Sequence, residues 1–174
     1  MEKTTFKIAF DYVKGVVTTD PTRSHIHHIL MTSTADKTTL AATDGHRCHM
    51  VEIDHGFANE YHCTIDKKKA DGYLKAIDNG ELDIKSLIDF AYVDDGSRFP
   101  PIDQVDPGLR SSDDTGAGLW AVNPKYLIAA LKTPSERALI HANEDALGPV
   151  VVTAELPVEG ISFKAIVMPM NMRR

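Results

Sequence analysis

No run of apolar residues in this 174-residue chain approaches the roughly 20 that a bilayer crossing requires. Its opening, Met1-Glu2-Lys3-Thr4-Thr5, lacks the apolar centre of a secretory signal. Both absences point away from a membrane. Cysteine is scarce: Cys48 and Cys63 are the whole supply, too few for a disulfide framework, so a reducing cytoplasm is the expected compartment. Basic charge is in the minority, with 19 Lys and Arg against 25 Asp and Glu and a formal net charge of −6. Such a balance argues against coating nucleic acid through bulk charge, while leaving room for a local basic face. The chain also has no HExxH, no CxxC, no G-x-S-x-G and no G-x-x-x-x-G-K. Those absences remove the common short signatures of metalloprotease, redox, hydrolase and nucleotide-phosphate chemistry.

What is present is an ordinary globular composition, 43% hydrophobic with a mean hydropathy of −0.21. It excludes collagen-like, coiled-coil and wholly disordered chains. The length suits one generous domain or two very small ones. Phe6, Phe10, Val13 and Val17 form one stripe at helical spacing, predicting a helix over Phe6–Val17 that Asp20-Pro21 closes off. His28–Thr32, Thr39–Ala42 and Cys48–Ile53 read as three short strands, separated by turn signals at Ala35-Asp36-Lys37 and Asp44-Gly45.

The pattern then restarts. Tyr61–Ile65 is a strand, Asp66 is an N-cap for a helix to about Ile77, and Asn79-Gly80 supplies its C-cap. Leu82–Val93 reads as strand-like. Residues 98–118, with Pro100, Pro101, Pro107 and a Ser111-Ser112-Asp113-Asp114 tract, form a linker. A third start follows: a short strand at Leu119–Val122, a helix over Lys125–Lys132 capped by Asn123-Pro124, and strands at Ala138–His141, Val150–Leu156 and Ser162–Met168. The order strand–helix–strand–strand–strand thus recurs without tandem identity. It gives a first unit over 1–57, a shortened second over 61–97, a linker over 98–118 and a last unit over 119–174, together one compact α+β body of antiparallel sheets with helices on one face.

His25, His27, His28, His46, His49, His55 and His62 crowd one stretch with Cys48, Cys63, Asp44 and Asp54. Imidazole and thiolate suit zinc or iron, which keeps a metal-dependent enzyme using the His25–His62 cluster among the readings, but the spacing matches no ligand motif. No residue is singled out as catalytic, and no cofactor is implied. Two segments are more specific: the tight turn Thr43-Asp44-Gly45-His46-Arg47 and the strand end Val167-Met168-Pro169-Met170.

In chain order, these residues resemble the bacterial DNA sliding clamp, the beta subunit of DNA polymerase III. Leu40–Arg47 is similar to the family's A-T-D-G-H-R turn, and Thr64–Ile77 to its P-x-K-x-x-x-E-L-x-K-x-L helix with Ile65-Asp66 in place of Val/Leu-Pro. Arg98–Val105 resembles the G-R-F-P-D-Y-x-x-V-L-P junction, Val122–Leu127 the F-N-x-x-Y-L helix start, and Ile166–Met170 the V-V-M-P-M-R ending. A clamp chain has three domains of roughly 120 residues, so this one carries about one and a half. Cys48 stands where the family usually has leucine, and Asn171-Met172-Arg173-Arg174 replaces its final Arg-Leu.

The resemblance implies a DNA-clamp fold built from β-α-β-β-β units and no enzymatic activity. It implies an apolar pocket for short motifs of DNA polymerase, clamp loader and repair proteins, walled by Thr43, Gly45, His46, Arg47, Pro107, Ile166, Val167, Met168, Pro169 and Met170. It also implies a helical face toward double-stranded DNA, carried by Lys14, Lys67, Lys68, Lys69, Lys75, Lys125 and Lys132, in a homo-oligomer that encircles the duplex. The alternative within the same fold is a monomeric adaptor or decoy that binds replication proteins without a ring. So small a version suits a phage or mobile element.

Overall fold

The computed structural model describes residues 1–57, 59–94, 99–102, 121–142, 148–157 and 160–170. Helix α1 covers Lys3–Lys14, starting before Phe6 and stopping short of Val17. Its early start is anchored by a segment distant in sequence: the Lys3 amide donates to Gly80 O at 2.8 Å and its Nζ to Ile77 O at 2.7 Å. The predicted stripe is nonetheless the buried one. Phe6, Phe10 and Val13 are fully buried, and Val16 and Val17 continue into the core after the helix has ended at Gly15.

A short 3-10 turn (Pro21–Ile26) leads to strands β1 (Ile29–Ser33), β2 (Thr38–Thr43) and β3 (Arg47–Ile53), an antiparallel meander. Strand β4 (Tyr61–Ile65) pairs with the outer side of β1, Met31 opposite Cys63. Strands β5 (Ala138–His141), β6 (Val150–Leu156) and β7 (Ile161–Val167) form a second meander. The two meet where β3 pairs with β7, Cys48 opposite Ile166 and Val51 opposite Phe163. One seven-stranded sheet results, in the order β4-β1-β2-β3-β7-β6-β5. Read outward from the β3–β7 seam it is the same meander twice, each preceded by a helix.

Side chains alternate between the faces of a strand, and here that alternation separates two environments. Leu40, Val51, Ile53, Phe163, Ala165 and Val167 face the main core. Helix α1 covers them from β2 and β3, and helix α4 (Pro124–Ala130) lies on β7. The opposite face carries a small separate cluster of Cys48, Val151 and Ile166, with Met50 against it. Among the described residues no helix is long and apolar enough to cross a membrane.

The segment over 61–94 departs from expectation. Helix α2 (Lys67–Ala76) begins as predicted, with the Asp66 carboxylate accepting the Lys69 amide at 2.8 Å. Its C-cap, however, is Ile77 in extended conformation, and Gly80, at φ +145°, instead turns the chain toward its own beginning. Leu82–Val93 is not strand-like: Ile84–Ala91 forms helix α3, capped by Asp83 through the Lys85 amide at 3.1 Å and the Ser86 hydroxyl at 2.6 Å. Ile84, Leu87 and Ala91 recur at spacings of three and four and are all buried, so helical burial outweighs the short run's strand-like composition. Of the expected strand Leu119–Val122, the described part is Ala121-Val122, which pairs with the chain end through a single bridge from Val122 to Pro169.

Candidate functional site

The turn between β2 and β3 is held by its own side chains. The Thr43 hydroxyl accepts the Gly45 amide at 3.0 Å and donates to Arg47 O at 2.8 Å. The Asp44 carboxylate accepts the amides of His46 and Arg47 at 3.0 and 3.1 Å, and Arg47 Nε at 3.0 Å. An aspartate bonding to backbone amides two and three residues ahead stabilises a tight turn without help from elsewhere. Gly45 has φ +86°, and a Cβ there would lie 2.4 Å from Arg23 Nη1, which itself donates to Asp44 O at 2.7 Å. Glycine is therefore favoured by conformation, and a side chain there would also have to displace the Arg23 guanidinium.

Strand β7 delivers the chain end to this turn. The Met168 amide donates to His46 O at 2.9 Å, extending the β3–β7 pairing past the last strand residue, and the Met170 amide donates to Ala121 O at 2.7 Å. Between turn and chain end lies a cavity of about 220 Å³. Cys48 and Ile166, both from the small separate cluster, line it. Thr43, Gly45, Arg47 and Met168 contribute from the seam, His25 and Ile26 from the 3-10 turn, and Phe99, Pro100 and Ile102 from the segment after α3. The lining is largely apolar, with Arg47 and His25 as its cationic or titratable members. Arg47 is fixed from two sides: it pairs with Asp44, and its guanidinium sits 4.9 Å from the centre of the Tyr126 ring on α4. His46 stacks on the same ring at 5.9 Å and 14°.

Of the residues expected to wall a pocket, Thr43, Gly45, Arg47, Ile166 and Met168 line this cavity. His46 stands beside it against Tyr126, and Val167, fully buried, faces the main core instead. Pro169 is occupied in the bridge to Val122; Met170 is 52% exposed beyond it. Pro107 lies outside the described residues. The proline in the wall is Pro100, from the Arg98-Phe99-Pro100-Pro101 segment already noted as a junction. His25, Ile26, Phe99, Ile102 and the supporting Tyr126 were not expected there, since each is remote in sequence from both the turn and the chain end.

The helical lysines differ in their surroundings. Lys68, Lys69, Lys125 and Lys132 are exposed and make no side-chain ion pair among the described residues. Lys14 and Lys75, by contrast, are paired with acids: Lys14 with Asp11 at 2.5 Å and Asp71 at 2.7 Å, and Lys75 with Asp71. Lys67 Nζ is 3.5 Å from Val17 O. The bonds from Lys14 and then Lys75 hold the Asp71 carboxyl down at about 2.

The histidines disperse. His27 Nε2 is 2.5 Å from Asp20 O, His55 packs edge-on to Phe57, and His62 points outward on β4. His49 is 2% exposed and stacked on Tyr12 of α1 at 4.5 Å; burial, aided by Arg47, pushes its pKa down to about 4. Burial raises the Cys63 thiol to about 11, an inert state. Among the described residues, no three His, Cys, Asp or Glu side chains are grouped to hold a metal ion.

No family model matches the sequence, and no curated protein matches it either. Solved structures do. The DNA polymerase sliding clamp from Pseudomonas aeruginosa superimposes with a TM-score of 0.71 at 14% identity, over 99% of this chain and 66% of its own. DNA polymerase III beta chain from Streptococcus pneumoniae gives 0.75 at 13% identity, over 99% and 64%. The beta subunit from Thermotoga maritima gives 0.72 at 14% identity, over 99% and 65%. The fold is that of the bacterial sliding clamp, and this chain spans just under two thirds of the length of those clamps.

Proposed function

We propose that this chain is a non-enzymatic, clamp-like replication factor of the cytoplasm that binds short linear motifs of polymerase, clamp-loader or repair proteins in the cavity at the β3–β7 seam. The observation that carries this reading is the cavity itself: a turn held by its own side chains and a methionine-bearing strand end border a largely apolar space of about 220 Å³. Met168, 46% exposed, is adaptable and polarizable, and can close over either leucine or phenylalanine. A peptide with a Leu/Phe-type clamp-binding motif is expected to bind with micromolar affinity in fluorescence anisotropy. Met168→Ala should weaken it at least about fivefold, roughly 1 kcal/mol. Equal affinity for Met168→Ala and the wild type would contradict the assignment.

The second part of the proposal is a homo-oligomer around double-stranded DNA, with the helical side of the sheet inward and its exposed lysines toward phosphate. The apolar part of the surface supports it. Leu139 and Ile140 are exposed on the edge strand β5, Ile128 and Leu131 on and just after α4, and Phe90 and Tyr92 on and just after α3. Exposed apolar side chains on different parts of one chain favour head-to-tail contacts, which close into rings when the rotation allows. A monomeric adaptor is the alternative. Light scattering over a wide concentration range, with and without DNA, separates the two: a discrete multimer supports the ring, and a monomer throughout removes it.

A further inference from the structure

The helices proposed to face DNA hold acids between their lysines. On α1, Lys7, Asp11 and Lys14 share one stripe at spacings of four and three; on α2, Lys68, Asp71 and Lys75 do so at three and four. Asp11 pairs with Lys7 and, at 2.5 Å, with Lys14. Lys14 reaches on to Asp71 of the neighbouring helix at 2.7 Å, and Asp71 pairs with Lys75. The result is an alternating chain, Lys7–Asp11–Lys14–Asp71–Lys75, running from one helix to the next. It is open on its outer side: the Lys75 side chain is 69% exposed, and a Cβ on Gly72 would meet nothing within 4 Å.

Ion pairs that water still reaches, as the half-buried Lys14–Asp71 pair and its more exposed neighbours do, contribute little to stability, typically about 0–1 kcal/mol each. Their effect on a polyanion is larger, because each lysine held by a carboxylate must leave it to contact phosphate, and the carboxylate then remains beside the backbone as an unpaired negative charge. We propose, on the premise of the DNA reading above, that Asp71 is an intramolecular rival of phosphate: it holds Lys75 and, together with Asp11, Lys14 out of contact and leaves Lys68 and Lys69 as the gripping pair of α2. Both the affinity for the duplex and its salt dependence are lowered as a consequence. A weak, uniform grip suits a protein that has to move along DNA, since no register is bound deeply enough to stop it.

The test is anisotropy of a labelled duplex of about 30 base pairs against the full chain, over a range of salt concentrations. Asp71→Asn is expected to bind roughly threefold more tightly at low salt, with the slope of log K against log salt steeper by about one, for the release of Lys75, since Lys14 keeps its pair with Asp11. Asp36→Asn, which makes the same change in net charge at the β1–β2 turn, should leave affinity within about twofold, and adding Lys14→Gln and Lys75→Gln to Asp71→Asn should remove the gain. Wild-type affinity and slope in Asp71→Asn, or a gain no larger than that of Asp36→Asn, overturns the proposal even where Lys68→Ala with Lys69→Ala weakens binding. If that lysine pair can be removed without effect, or if the wild type does not bind duplex, the DNA reading fails and this inference falls with it.

Discussion

The β2–β3 turn and the α1–α2 layer are each organised by a carboxylate that holds basic side chains, and the two carboxylates do different work. Asp44 accepts two backbone amides as well as Arg47, in a setting where the paired side chains are 16% and 14% exposed. Among the described residues Asp71 accepts from two lysines, one of them 69% exposed. The first arrangement sets the shape of the backbone and, through Arg47 and Tyr126, the wall of the cavity. The second sets charge alone. An ion pair's contribution therefore depends on what else the carboxylate holds and on how much water reaches it.

That contrast can be broken most severely beneath the turn. Ile166, 2% exposed, both lines the cavity and belongs to the small cluster with Cys48 and Val151, and Ile166→Ala is expected to cost about 2–4 kcal/mol in urea unfolding. Next in size is acid. His49 couples the two regions, sitting on β3 beside Cys48 and stacked on Tyr12 of α1. Its folded pKa is depressed to about 4 by burial, with Arg47 adding to it, whereas an unfolded histidine titrates near 6.5. The unfolded chain thus takes up the proton first. This contribution is complete above about pH 6.5 and is lost as pH falls toward 4, up to about 3 kcal/mol; a His49→Phe variant should show a flatter stability profile across that window.

Asp44→Ala, which strips two backbone amides and an arginine of their acceptor, should cost about 1–2 kcal/mol and weaken motif-peptide binding in the same protein. Asp71→Asn lies at the small end, changing unfolding free energy by less than about 1 kcal/mol while altering DNA affinity as described above. A large stability loss in Asp71→Asn, or none in Asp44→Ala, would reverse the comparison.

Much of the fold was legible because its signals are local. Strands β5 and β6 fall where alternation and turns place them, and the caps at Asp66 and Asn123 each accept the amide expected of them. Helix α3 was missed because a short apolar run satisfies both periods; the deciding signal, Asp83 ahead of Ile84, Leu87 and Ala91, was present. In the site, the turn and the chain end were readable as segments, but the rest depends on tertiary arrangement. His25, Ile26 and Pro100 reach the cavity because the 3-10 turn and the segment after α3 converge on the β3–β7 seam, which no spacing encodes. Lys75 could have been matched to Asp71 at four residues' distance, whereas Lys14 meets Asp71 only once α1 and α2 pack.

The most direct test of the central claim is to titrate a Leu/Phe-type motif peptide into protein labelled at its methionine methyl groups and follow them by NMR. The cavity account predicts that the Met168 methyl shifts and saturates at one equivalent of peptide, while Met31, fully buried in the main core, stays in place. Peptide binding that leaves Met168 unmoved would contradict it.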